Sequence, residues 1–195
     1  MRWRGLGRYG GGMEETMDAS GNGVEVLCEG RHLRFVRRKG WEWVSRRRAI
    51  GIVGIAGRTA EGKLVLVSQW REPVGRVVVE WPAGLAGDEA GSEGESLESA
   101  ARRELLEETG YVADVLRRVA EGPPSAGATD EVITFFVAEG LRKAGEGGGV
   151  GGEKIRVHEV PEGELSAWCR AREAEGWLVD PKVFAGAYWL KECGR

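Results

Sequence analysis

"ESLESAARRELLEETGY", residues 95–111, is the stretch from which the rest of the chain can be read. Its apolar residues Leu97, Ala101 and Leu105 recur at every fourth position, the spacing that lines one face of an α-helix. Ser96 can cap the first turn, Glu98 suits the positive end of the helix dipole, and Gly110 can take the left-handed conformation that stops a helix. The pattern predicts a helix over 97–109. On it, Glu104, Glu107 and Glu108 lie three and four residues apart, so their side chains converge.

Like charges at such spacings cost roughly a few tenths of a kcal/mol per pair, so the cluster needs a reason. A solvated, glutamate-rich helix face is one, and from spacing alone it is the commoner. A hard divalent cation is the other, because Mg2+ prefers carboxylate oxygens and takes its remaining ligands from water and phosphate. Arg103 is placed to reach Glu107 one turn on and hold it.

Outward from the helix, 24–28, 32–37 and 42–46 are short runs with alternating apolar residues, which predict a small antiparallel sheet. The runs 49–56, 63–69 and 76–81 are richer in Ile, Val and Leu and read as core strands, as do 112–119, 132–137 and 155–160 after the helix. Asp180 and Pro181 announce a last helix with Val183, Ala187 and Leu190 on one face. "GEGGGVGGEK" at 145–154 is too rich in glycine for regular structure and is expected to be a mobile loop. The expected fold class is α/β (α+β), a mixed sheet sandwiched between helices, with the small N-terminal sheet beside it.

A chain of 195 residues with 42% hydrophobic residues can bury one good core. Its net charge of -3 lacks the basic excess of a nucleic-acid binder, although Arg46, Arg47 and Arg48 form a local cluster. Cys28, Cys169 and Cys193 are odd in number and far apart, which suggests free thiols and a cytoplasmic setting. No apolar run approaches the roughly 18 to 20 residues of a membrane span, so no membrane partner is expected. Residues 1–23 are expected to be disordered, with Met13 as a candidate start.

The helix and its surroundings resemble the Nudix hydrolase box, whose pattern is Gly, five residues, Glu, seven residues, Arg-Glu-apolar-any-Glu-Glu-any-Gly-apolar. From Glu95 onward the match is complete, through Arg103, Glu104, Leu105, Glu107, Glu108, Gly110 and Tyr111. The position six before Glu95 is Glu89, and Gly84 takes the place of the box glycine, which implies a five-residue insertion within "GDEAGSEG" at 87–94. Loop-closure entropy grows only logarithmically, so such an insertion is cheap. "QWREP" at 69–73, "EWPAG" at 80–84, "PPSAGATDE" at 123–131 and "EKIRVHEVP" at 153–161 are similar to landmarks of the ADP-ribose pyrophosphatase branch.

That resemblance implies a Mg2+-dependent enzyme, with Mn2+ a possible substitute, that cuts the pyrophosphate of a nucleotide sugar such as ADP-ribose. It implies metal ligation by the Ala83 carbonyl, Glu104, Glu107 and Glu108, and a catalytic acid on the late loop, Glu153 first and Glu146 second. Arg103 and Glu107 join Glu153 in the implied catalytic set. Arg71 and Glu80 are candidate substrate contacts, against the plainer reading of Arg71 as half of a structural ion pair. Trp41 and Trp43 are candidates to stack on a purine, against the commoner place of a strand Trp in a core or interface. The resemblance further implies a homodimer built through the 24–48 strands, with 49–195 as the catalytic domain. Ser125-Ala126-Gly127 stands where the branch has Ser-Pro-Gly, which loosens the preference for ADP-ribose and keeps GDP-mannose open. A non-catalytic module that senses ADP-ribose is the alternative of another class; retention of all three helix glutamates weighs against it.

Overall fold

A computed structural model describes residues 23–87 and 94–193. The expected disordered start, Met13 and most of the 87–94 insertion lie outside the described residues.

Three strands, β1 (Glu25–Glu29), β2 (Leu33–Arg38) and β3 (Trp41–Arg46), form an antiparallel sheet in that order. Next come β4 (Gly51–Gly57), β5 (Lys63–Arg71), β6 (Arg76–Glu80) and β7 (Ala83–Ala86). The helix α1 (Leu97–Thr109) leads into β8 (Tyr111–Val112), β9 (Val115–Gly122), β10 (Ile133–Glu139), β11 (Arg142–Lys143) and β12 (Arg156–Pro161). The chain then runs through α2 (Leu165–Ala174), β13 (Leu178–Val179) and α3 (Lys182–Cys193). One four-stranded sheet has the order β7-β4-β10-β9, the other β12-β5-β6-β13, and both are mixed because β4/β10 and β6/β13 run parallel.

Alternation along the strands sends side chains to two cores. Val53, Ile55, Val65 and Phe136 pack with Ala101 and Leu105 of α1. Ala56, Leu64, Leu66, Phe135 and Val137 pack with Leu165 and Cys169 of α2 and with Val183 and Leu190 of α3. The strands thus lie between α1 on one side and α2 and α3 on the other, the mixed sandwich that the sequence pattern predicts. Trp81 ties the second core to the site: its buried indole N–H donates to the Lys182 and Val183 carbonyls at 3.0 and 3.1 Å, fixing the turn after β6 against the start of α3.

The helix caps are as read. Ser96 Oγ accepts from the Ser99 N–H at 3.1 Å, Gly110 is left-handed with φ 72°, and Asp180 Oδ1 accepts from the Lys182 N–H at 2.8 Å. Three elements depart from expectation. The run 112–119 is broken at Ala113–Asp114 into β8 and β9, which join different sheets. β7, which no local pattern in the sequence announces, pairs antiparallel with β4 from Gly54↔Ala83 to Gly51↔Ala86. α2 was not foreseen: no side chain caps it, and within it only Leu165 and Cys169 are buried, too thin a stripe to stand out.

Candidate active site

α1 carries its apolar stripe from Leu97 through Ala101 and Leu105, and Glu108 falls on the next turn of that same face. The helix therefore buries a carboxylate: Glu108 is 5% exposed. Its Oε2 accepts the Ala83 N–H at 3.0 Å, which joins the helix to the first residue of β7. Glu104, one turn earlier, lies against Gly84; a Cβ there would fall 2.0 Å from the Glu104 carboxyl carbon, so the approach requires glycine.

These residues floor a cleft of about 460 Å³, also lined by Arg46, Gln69, Arg71, Glu80, Glu131, Glu153 and Lys182. Of the residues picked out in the sequence, Ala83, Glu104, Glu108, Arg71, Glu80 and Glu153 are brought together here. Glu107 and Arg103 stand beside it: Arg103 Nη1 donates to Glu104 at 2.8 Å and Glu107 at 3.2 Å, Nε to Glu95 at 3.1 Å and Nη2 to the Leu85 carbonyl at 2.9 Å. Arg103 is thus the hub that holds three acids and the β7 backbone in register, and its hydrogen bond lowers the Glu95 pKa.

Trp41 and Trp43 do not line the cleft of a single chain. Trp41 is 69% exposed, and Trp43 donates its indole N–H to Asp130 at 3.0 Å. Arg71 is ion-paired with Glu80 at 2.8 Å, so the structural reading holds while both still face the cleft. Sequence reasoning missed Arg46, Glu131 and Lys182 as cleft residues. Arg46 was visible as part of a basic cluster, but its partner Glu131, at 2.5 Å, is 85 residues away.

The glycine-rich segment is irregular, as its composition requires, yet it is docked. The Gly148 and Gly149 N–H groups donate to the Glu108 and Glu107 carbonyls at 2.9 and 3.0 Å, and those of Ala144 and Gly145 to the Gly110 carbonyl. The loop therefore satisfies carbonyls that the end of α1 leaves open. It delivers Glu153 to the cleft, whereas Glu146 does not line it. Glu153 Oε2 accepts the Val150 N–H at 3.2 Å.

The charge balance decides what the cleft can hold. Among the described residues five carboxylates (Glu80, Glu104, Glu108, Glu131, Glu153) face three cations (Arg46, Arg71, Lys182), and each of those cations has an acidic partner. Burial pushes the Glu108 pKa up to about 8, with the nearby Glu104 and Glu153 charges adding to it and the Ala83 N–H and Arg71 opposing. A buried acid that holds a proton at neutral pH, in a cleft of hard oxygen donors, fits a divalent cation in the proton's place. Among the described residues no three acidic, cysteine or histidine side chains enclose a metal site on their own.

The NUDIX domain profile matches residues 45–191. An ADP-ribose pyrophosphatase of Bacillus subtilis is 42% identical over 91 residues, covering 47% of this chain and 46% of the relative. An ADP-sugar pyrophosphatase of Mus musculus is 36% identical over 152 residues, covering 73% and 66%. A GDP-mannose pyrophosphatase of Yersinia enterocolitica is 33% identical over 130 residues, covering 63% of each. The chain spans about half to two thirds of the length of these relatives. The profile takes in the capped helix, the turn that meets it and every acid lining the cleft, and the chain belongs to the Nudix family.

Proposed function

We propose that this protein hydrolyses the pyrophosphate bond of a nucleoside diphosphate sugar, with ADP-ribose, giving AMP and ribose 5-phosphate, the favoured substrate. The observation that carries the reading is Glu108, a buried carboxylate that accepts the N–H of Ala83 at the start of β7 and lines one cleft with Glu104 and Glu153. Glu104, Glu107 and Glu108, with the Ala83 carbonyl, would hold Mg2+, which neutralises diphosphate charge and activates water when bound. Mn2+ offers the same charge and oxygen preference.

The chain's own residues supply the rest. Water adds to one phosphorus, the bond from the bridging oxygen to that phosphorus breaks, and both products leave as phosphate monoesters. Glu153, brought by the docked loop, accepts the water's proton. Arg103 keeps Glu104 and Glu107 oriented, and Arg71 and Glu80 meet the substrate from the strand side. Trp41 and Trp43 reach a base only with a second chain. The exposed Leu33, Phe35 and Val44, which share one face of the N-terminal sheet, support a homodimer there, and sedimentation as a monomer at assay concentration would count against it. Three free cysteines support a reducing, cytoplasmic setting, and no described helix is long and apolar enough to cross a membrane.

Relatives named GDP-mannose pyrophosphatase favour one second reading, the same cleavage on GDP-mannose. A panel of nucleotide sugars with Mg2+, resolved by HPLC, separates the two. Turnover by Glu108→Gln should fall by about two orders of magnitude or more, because a ligand is lost where charge develops. Equal turnover by both proteins would remove the site.

A further inference from the structure

The cleft is acidic, but the cavity next to it is not. Arg31, His32, Arg46, Arg47, Arg48 and Leu85 line a space of about 430 Å³, and among the described residues no carboxylate lines it. The "RRR" at 46–48, which the catalytic reading leaves unused, is thus gathered with Arg31 and His32 into a single concavity. The fold does this through the β2–β3 register: Leu33 pairs with Arg46, and the Arg47 N–H donates to the His32 carbonyl at 3.1 Å. Two of the arginines are fixed, Arg47 by Glu29 at 3.0 Å and Arg46 by Glu131 at 2.5 Å. Arg31 and Arg48 make no ion pair or side-chain hydrogen bond with another described residue.

Arg46 and Leu85 line both spaces, so the basic cavity and the acidic cleft share a wall. We propose, building on the pyrophosphatase reading, that this cavity binds a phosphate monoester on the nucleoside part of the substrate, so that the protein prefers nucleotides bearing a further phosphate. Guanidinium groups match phosphate oxygens two at a time, and clustered cations repel one another until an anion enters. The volume is in the range of small-molecule sites, more than a lone oxyanion needs. A net charge of -3 makes the patch a local device rather than part of a basic surface. The shared wall favours a phosphate tethered to the nucleotide in the cleft over a separate anion.

The test is calorimetry on the full chain with Mg2+, comparing AMP, adenosine 2′,5′-bisphosphate and adenosine 3′,5′-bisphosphate, and AMP with added inorganic phosphate. The double variant Arg31→Ala/Arg48→Ala is run beside it, since both side chains are exposed and neither lines the cleft. One bisphosphate should bind about tenfold tighter than AMP, a charge-assisted contact's worth. That advantage should vanish in the variant while AMP affinity stays. Bisphosphates no tighter than AMP, or an advantage that survives in the variant, overturn the proposal. So does saturable inorganic phosphate binding beside AMP without a bisphosphate advantage, which marks a separate anion site. If the nucleotide-sugar panel fails while the bisphosphate preference stands, it is the pyrophosphatase reading that falls.

Discussion

Replacing Glu108 by Gln should make the metal-free protein more stable at alkaline pH while disabling it. Glu108 is 5% exposed and its pKa rises from 4.5 to about 8, chiefly through burial. The folded protein therefore binds a proton that the unfolded chain releases above pH 4.5. Stability from this group is complete below that value, declines as pH rises, and is lost once pH passes about 8. At about 1.4 kcal/mol per pKa unit, the interval sets a ceiling of about 5 kcal/mol, which water entering the cleft lowers. Gln keeps the size and an oxygen for the Ala83 N–H but carries no charge. Urea unfolding in EDTA should show Glu108→Gln more stable than the parent by about 2 to 5 kcal/mol at pH 9, with the gap closing toward pH 5. Adding Mg2+ should stabilise the parent more than the variant. A variant equal to or weaker than the parent at pH 9 would refute the claim that the carboxylate is held against its charge.

Gly84→Ala puts a Cβ 2.0 Å from the Glu104 carboxyl carbon, so Glu104 must swing out. Mg2+-dependent turnover should fall about a hundredfold with the fold intact by circular dichroism, and unchanged turnover would show that Glu104 does not act from that position. Gly147, at φ 72°, leaves no room for a Cβ, which would lie 2.4 Å from the Thr109 carbonyl carbon. Gly147→Ala should raise hydrogen exchange at the Gly148 and Gly149 amides and lower kcat more than it alters KM; protected amides in the variant would mean that the loop does not depend on this contact. His158, bonded to Ser68 at 2.8 Å, has its pKa lowered to about 4 by burial and then by Arg156 and Arg172. Neutral His158 is favoured in the folded state, so stability should be full above pH 6.5 and drain away as pH falls toward 4, and His158→Gln should flatten that decline; parallel curves for the two proteins would dismiss it.

What could be read from the chain is what neighbours along it decide. Ser96, Gly110 and the Leu97–Ala101–Leu105 stripe define α1 because caps and helical periodicity are local. The same stripe carries a warning in plain view, since the next position on it, three residues beyond Leu105, is the acid Glu108. A solvated glutamate face would point away from Ala101 and Leu105; Glu108 points with them, which separates a buried carboxylate from a merely charged helix face. What could not be read depends on strands that meet from far apart. β7 has little intrinsic preference for extended structure and exists because β4 offers it hydrogen bonds, and only that pairing sets Gly84 under Glu104. Composition alone made 145–154 irregular and silent about where it rests; its docking needs the open carbonyls of Glu107, Glu108 and Gly110 as acceptors. That dependence is itself informative: the loop that brings Glu153 is anchored to the last turn of the helix that carries Glu104 and Glu108. A shift of that turn would therefore move Glu153 together with Glu104 and Glu108, and their spacing survives motions that would separate residues set on independent elements.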